Sequence, residues 1–210
     1  MREAFFFDVD DTLCTTGHLH ARAFTQVIQQ LKIDAPKFSY MDYAGFSTEE
    51  VFQDLGCPKD QINIASELKR EIFRSSAGEI LPTEGAREIL DFLLLKKRKI
   101  FAVSTGSFGS VQATLRTTEL IDYFDEIITL ERTNKTKPHP DPYLLAITLS
   151  GSNPKNCLAV EDSETGIQSA LSAKITTTLI SRNSAAWHSK YPVQVFMNLI
   201  HLKESLEAAQ

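Results

Sequence analysis

Asp8-Val9-Asp10 sets two carboxylates two residues apart, directly after the apolar run Ala4-Phe5-Phe6-Phe7. Carboxylates this close repel, so either one holds a proton or a cation sits with them. The chemistry that uses such a pair is a nucleophile beside a general acid/base, with Mg²⁺ screening both. A calcium loop of the EF-hand type fails here: its sixth position would be Leu13 rather than glycine, and its twelfth Leu19 rather than an acid. Taken alone, the pair also fits a polar turn.

Three further segments carry similar chemistry. In Ser104-Thr105-Gly106-Ser107 a hydroxyl, with backbone N–H groups made accessible by Gly106, suits a phosphate oxygen. A helix N-cap before 108–117 is a compatible second role. Lys137 lies in Lys135-Thr136-Lys137-Pro138-His139-Pro140-Asp141-Pro142, a proline-dense loop that restricts its backbone. A cation held there could neutralise a transferring phosphoryl group; the plain alternative is an exposed loop lysine. His139 reads as solvent-facing. Glu161-Asp162-Ser163 gives hard oxygen ligands that would complete a Mg²⁺ site with Asp8 and Asp10, although Asp162 could equally cap a helix.

The elements that must position these residues are legible from periodicity. Ala4–Phe7, Ile100–Val103, Glu126–Leu130 and Cys157–Val160 are short apolar runs of the kind buried on both faces of a parallel sheet, and Thr176–Ile180 is rich in β-branched residues. Between the last four lie helical patterns: Ala86, Ile89, Leu90, Leu93 and Leu94, followed by a basic run at 96–99; a helix opened by Asp141 as N-cap with Pro142 at N1; and Ile167, Ala170 and Leu171. Strands alternating with helices predict an α/β fold. Residues 15–80 break the alternation with three helical stripes, the second opened by the capping box Ser47-Thr48-Glu49-Glu50. That block is an insertion, so the expected domains are an α/β core of 1–14 and 81–210 and a helical unit of 15–80. Trp187-His188 and Tyr191-Pro192 are expected to help close the core.

The 210 residues carry 22 Lys+Arg against 27 Asp+Glu, a formal charge of −5. Such a chain gains no bulk attraction to phosphate backbones or anionic lipid, so nucleic acid and membrane are not expected partners. Three separated cysteines (Cys14, Cys57, Cys157) fit a reducing, cytoplasmic setting rather than a disulfide framework. Cys14 reads as a small packed residue. Oligomeric state is not legible.

The order of the segments is more specific than any one of them: acidic pair, hydroxyl, lysine, acidic pair, each at or just beyond the end of a successive strand. In this the chain strongly resembles the haloacid dehalogenase (HAD) superfamily of phosphotransferases. Asp8-Val9-Asp10-Asp11-Thr12 resembles its motif I, Ser104 motif II, Lys137-Pro138 motif III, and Glu161-Asp162-Ser163 motif IV. The resemblance implies a Rossmann-like three-layer core with a parallel sheet, and residues 15–80 are similar to the helical C1-type cap of the phosphoglycolate phosphatase and β-phosphoglucomutase subfamily. It implies that Asp8 attacks phosphorus, that Asp10 serves as acid and then base, and that Ser104, Thr105, Gly106 and Lys137 hold the phosphoryl group. Mg²⁺ would be held by the Asp8 carboxylate, the Asp10 backbone carbonyl and Asp162, with Glu161 joining directly or through water. His20 and Thr48 are the implied cap-side contacts to a small phosphorylated metabolite.

Dehalogenases of this superfamily lack an acid/base at the position of Asp10, because a halide leaves without a proton. Keeping Asp10 favours phosphoryl transfer. His20 matches a histidine that contacts the general acid in β-phosphoglucomutase, but Thr48 stands where such mutases carry an arginine that grips the distal phosphate. The expectation is therefore a phosphatase, with a phosphosugar mutase as alternative and an inactive binding module as a further one.

Overall fold

Side chains along the strand Ala4–Phe7 are all buried, and they alternate between two apolar clusters. Phe5 and Phe7 pack with Leu90, Ile100 and Ala102; Ala4 and Phe6 pack with Phe101, Ala146 and Cys157. A strand covered on both faces needs helices above and below it, which is the α/β layering the sequence predicts. The computed structural model describes residues 2–181 and 189–209, so Trp187 and His188 lie outside the described residues.

The strands in chain order are β1 (Ala4–Phe7), β2 (Cys14–Thr15), β3 (Leu81–Pro82), β4 (Lys99–Val103), β5 (Glu126–Ile128), β6 (Cys157–Glu161), β7 (Thr176–Ile180) and β8 (Gln194–Phe196). Six of them form one parallel sheet in the order β5-β4-β1-β6-β7-β8. The chain leaves β1 toward β4 on one side and later returns to β6 on the other. In open α/β sheets the crevice at such a reversal, beyond the carboxyl ends of the strands, is where ligands bind.

Helices α1 (Gly17–Gln30), α2 (Thr48–Asp54) and α3 (Ile62–Ser75) precede β3; α4 (Ala86–Leu95), α5 (Phe108–Thr117), α6 (Asp141–Ser150), α7 (Glu164–Ser172) and α8 (Leu199–Ala208) follow it. The first three gather their own apolar cluster, with Phe24, Val27, Val51, Phe52 and Ala65 at its centre. β2 and β3 pair antiparallel, Cys14 opposite Pro82 and Thr15 opposite Leu81, so a short ladder ties together the two points where the chain enters and leaves that helical block.

Several local expectations shift. β5 stops at Ile128, and Leu130 already belongs to a 3₁₀ turn. β6 runs one residue further, which makes Glu161 a strand residue and wholly buried. α6 starts at Asp141 rather than after it, with Pro140 in the capping position. Lys96 caps α4 and Lys97 turns left-handed, so the basic run lies past the last helical turn. The Cys14 thiol is buried against the Thr118 hydroxyl and pushed up to about 12, chiefly by burial, as a packed residue should be. No described helix is long and apolar enough to cross a membrane.

Candidate active site

Asp8 follows β1 and is held from the side by Lys137, whose ammonium lies 2.6 Å from Asp8 Oδ1 and 2.6 Å from Glu161 Oε1. The same ammonium donates to the Val103 carbonyl at 2.8 Å. Lys137 is 1% exposed, so the exposed-lysine reading is removed. The loop between β5 and α6, with a cis Lys137–Pro138 peptide, carries it inward to the ends of β1, β4 and β6. Glu161 also accepts a hydrogen bond from Tyr143 on α6. Gly166 on α7 makes room for this: a Cβ there would sit 1.9 Å from Glu161 Oε2. Ser163, not Asp162, caps α7, accepting from the Gly166 amide at 3.2 Å, which leaves Asp162 for other work.

Ligand oxygens of Asp8, Glu161 and Asp162 all lie within 4.8 Å of one another. One ammonium among three carboxylates leaves two negative charges in excess. Burial raises Asp8; Lys137 opposes it, and Glu161 and Asp10 push it up again, for a net upward shift. Asp162 is raised by burial and then by Asp8 and Glu161. Both shifts favour the protonated forms of Asp8 and Asp162 over their anions. Hard oxygen donors with this charge deficit fit a divalent cation of the Mg²⁺ class.

Asp10 belongs to the opposite side. Its carboxylate accepts from Thr16 Oγ1 at 2.7 Å and meets His20 Nε2 at 3.1 Å, while Ser104 Oγ lies 3.5 Å from its other oxygen. Burial raises Asp10, but His20, Thr16 and Lys69 outweigh it and bring it down to about 2. The side chain thus turns away from the three-carboxylate cluster. Asp11 next to it takes the left-handed φ of 60°, which short acidic residues tolerate, and accepts from the amides of Thr16 and Gly17 at the start of α1.

His20 is buried on α1, stacked on Phe73 at 4.1 Å between ring centroids. Its Nδ1 is 2.6 Å from Lys69 Nζ. The Asp10 carboxylate can only accept, so Nε2 carries the hydrogen that points to it and Nδ1 offers its lone pair to Lys69. Burial lowers Lys69 to about 7, with Arg70 contributing. Lys69 was not expected at the site. The one available signal is its register: it sits four residues from Ala65 and four from Phe73, on the buried face of α3. Tyr143 and Thr16 were missed as well, and nothing in their local sequence singles them out.

The Ser104 hydroxyl accepts from the Gly106 amide at 2.9 Å, so that N–H faces Ser104 rather than open space. A cavity of about 50 Å³, room for a few waters, is bounded by Asp8, Asp10, Thr48, Lys69, Thr105 and Gly106 among others. Both Thr48 and His20 therefore line the chamber that holds the acid pair. A groove of about 810 Å³ adjoins it across Tyr40, Ala44, Phe46 and Asp162, which wall both. His139 is exposed, as expected.

Comparison with known proteins points the same way. The family model described as haloacid dehalogenase-like hydrolase matches residues 5–180. A phosphorylated carbohydrates phosphatase of Thermotoga maritima is 25% identical over 177 residues, 82% of this chain and 82% of that one. Pyrophosphatase PpaX of Bacillus cereus is 25% identical over 177 residues, 83% of this chain and 81% of that protein. The solved β-phosphoglucomutase of Clostridium difficile superposes with a TM-score of 0.84 at 21% identity, covering 100% of both chains.

Proposed function

Since the chain belongs to the haloacid dehalogenase-like hydrolases, we propose that it is a Mg²⁺-dependent phosphatase that hydrolyses a small phosphomonoester through an aspartyl-phosphate on Asp8. The observation that carries this reading is the placement of Asp8 between a buried lysine and an acid pair, with Asp10 facing the same chamber from the other side. Asp8, Glu161 and Asp162, with the Asp10 backbone carbonyl, would hold the metal. When bound, the ion offsets the repulsion between an anionic nucleophile and an anionic substrate.

The protein's own groups then divide the work. An Asp8 oxygen forms a bond to phosphorus as the bond from phosphorus to the leaving oxygen breaks, and Asp10, ionised before substrate arrives, relays to that oxygen a proton brought in by the substrate monoanion. Water next attacks phosphorus, its proton passes to Asp10, and the Asp8–phosphorus bond breaks. Lys137 offsets the negative charge that Asp8 and the phosphoryl group bring together, and Ser104 holds a phosphoryl oxygen. Thr16 and the Nε2–H of His20 keep Asp10 aimed at the leaving oxygen. Residues 15–80 act as a cap over the chamber.

A phosphosugar mutase is the second reading, favoured by the His20–Asp10 contact. Thr48 weighs against it, because a threonine cannot supply the bidentate grip on a second phosphate that turning over a bisphosphate requires. The mutase fold alone does not separate the two. The test is phosphate release from p-nitrophenyl phosphate and from a sugar phosphate with Mg²⁺, wild type against Asp8→Asn. Sustained release by wild type alone supports the phosphatase. Interconversion of sugar phosphates with little free phosphate sinks it, and equal inertness of both proteins favours a binding module.

A further inference from the structure

His20 reaches Asp10 from α1 with its Nε2 3.1 Å from Asp10 Oδ1, while its Nδ1 lies 2.6 Å from Lys69 Nζ. Both contacts are at the rim of the imidazole. A hydrogen bond bends by about 30° before it weakens steeply, so two of them leave the plane of the ring loosely set. The faces of the ring need another hold.

Phe73 on α3 gives one, with 4.1 Å between ring centroids and planes 11° apart. Tyr40, which opens the 3₁₀ turn Tyr40–Tyr43 ahead of α2, gives another: its ring stacks on His20 at 5.5 Å with planes 20° apart. Tyr40 is backed in turn by Phe24, 6.1 Å away and 27° from parallel, and Phe24 packs on Phe52 at 5.2 Å within the apolar cluster of the first three helices. A ring anchored in this way resists displacement. Tyr40 is nevertheless only partly buried, and it walls both the chamber beside Asp10 and the adjoining groove. A leucine would fill that margin with apolar surface, but it could not lie flat against an imidazole.

We propose that Tyr40 is a positioning residue: its ring fixes the plane of the His20 imidazole and so keeps Nε2–H on Asp10 and Asp10 aimed at the leaving oxygen. This rests on the phosphatase reading and deepens it, because the turn ahead of α2 then serves proton transfer as well as enclosure. The ring carries the role, not the hydroxyl.

The test compares kcat/KM with Mg²⁺ for p-nitrophenyl phosphate and phenyl phosphate in wild type, Tyr40→Leu and Tyr40→Phe. This ratio covers events up to departure of the leaving oxygen, and the two esters differ in how much that oxygen needs a proton: p-nitrophenoxide leaves almost unaided, whereas phenoxide is a far stronger base. Tyr40→Leu is expected to lose about tenfold or more on phenyl phosphate and less than about threefold on p-nitrophenyl phosphate. Tyr40→Phe, which restores the ring, should recover phenyl phosphate to within about threefold of wild type. Nitrogen NMR of the His20 ring gives a readout independent of turnover: wild type should show one tautomer with its hydrogen on Nε2, and Tyr40→Leu shifts drawn toward the average of the two tautomers. Should Tyr40→Leu fail to fold, Tyr40→Met, which keeps apolar length without a ring, takes its place. Equal losses on the two esters, as a merely structural residue would give, overturn the proposal, as do unmoved His20 nitrogen shifts or a Tyr40→Phe that recovers nothing. In each of these cases wild type still releases phosphate, so the hydrolase reading survives. Wild type inert toward both esters overturns the hydrolase reading and this one with it.

Discussion

Asp8 and Asp10 stand two residues apart, yet their surroundings push them in opposite directions. Asp8 shares a buried cluster with two other carboxylates and is raised; Asp10, against Thr16 and the His20–Lys69 chain, is lowered to about 2. That split is the reverse of what the proposed attack by Asp8 and proton donation by Asp10 need, so a bound cation would have to hold Asp8 ionised and Asp10 would have to take up a proton with the substrate. Replacing Asp8 by Asn should cut turnover of p-nitrophenyl phosphate by about 10³-fold or more while the protein remains folded, which a rate assay and a thermal melt together check. Lys137→Met should both abolish turnover and destabilise the metal-free protein by about 3 kcal/mol in a urea titration, because Asp8 and Glu161 lose their shared counter-charge. Asp8, Ser104 and the Glu161-Asp162 pair were legible because each stands at a strand end, where the apolar run stops at a polar group, and Lys137, in the loop between β5 and α6, because of the prolines that follow it. Lys69 and Tyr143 were not, because each reaches the site from a helix far away in sequence and looks locally like any other helical residue.

At the scale of elements, the site depends on how closely the loop before α2 seats on the start of α7. Gly45 has φ +83°, and a Cβ on it would fall 2.0 Å from Thr165 Oγ1 and 2.8 Å from Ser163 Oγ. Both the backbone strain and the clash resist a side chain. Gly45→Ala should therefore cost about 1–3 kcal/mol in stability and lower kcat/KM more than kcat, by prying Thr48 and Phe46 from the chamber. Calorimetry and steady-state rates on one preparation would check it. Strands β1, β4, β6 and β7 were legible as brief apolar or β-branched runs, and α1, α3 and α4 as apolar stripes. The β2–β3 ladder was not, since two residues per strand carry no period. β8 and α8 were missed too: Gln194–Phe196 pairs at the sheet edge with only partial burial, and α8 hides little besides Leu199 and Leu202.

For the whole molecule, the net charge of −5 is a poor guide to its ligand, because the acidity that matters is gathered at one sheet edge. This has a consequence for stability. Carboxylates whose folded values are raised bind more protons folded than unfolded, so their contribution is largest at low pH and is lost as pH climbs above the ordinary carboxylate value toward the folded one. Asp10 has the opposite sign, but its contribution is complete above about pH 4 and is lost only as pH falls toward 2. Stripped of metal, the protein should melt higher at pH 5.5 than at pH 8, and added Mg²⁺ should raise the pH 8 melt more than the pH 5.5 one, since the ion replaces the protons. Melts that rise with pH in the stripped protein, or that ignore Mg²⁺ at pH 8, would remove the charge-deficit account of the cluster. A covalent phosphoryl group on one aspartate is the step on which the proposed mechanism turns. Acid-quenching wild type during turnover of a sugar phosphate, reducing with borohydride and mapping the peptides tests it most directly. The reduced side chain is expected at Asp8 and nowhere else, and only when substrate is present; an unmodified Asp8 during turnover, or reduction at another carboxylate, rules out the aspartyl-phosphate on Asp8.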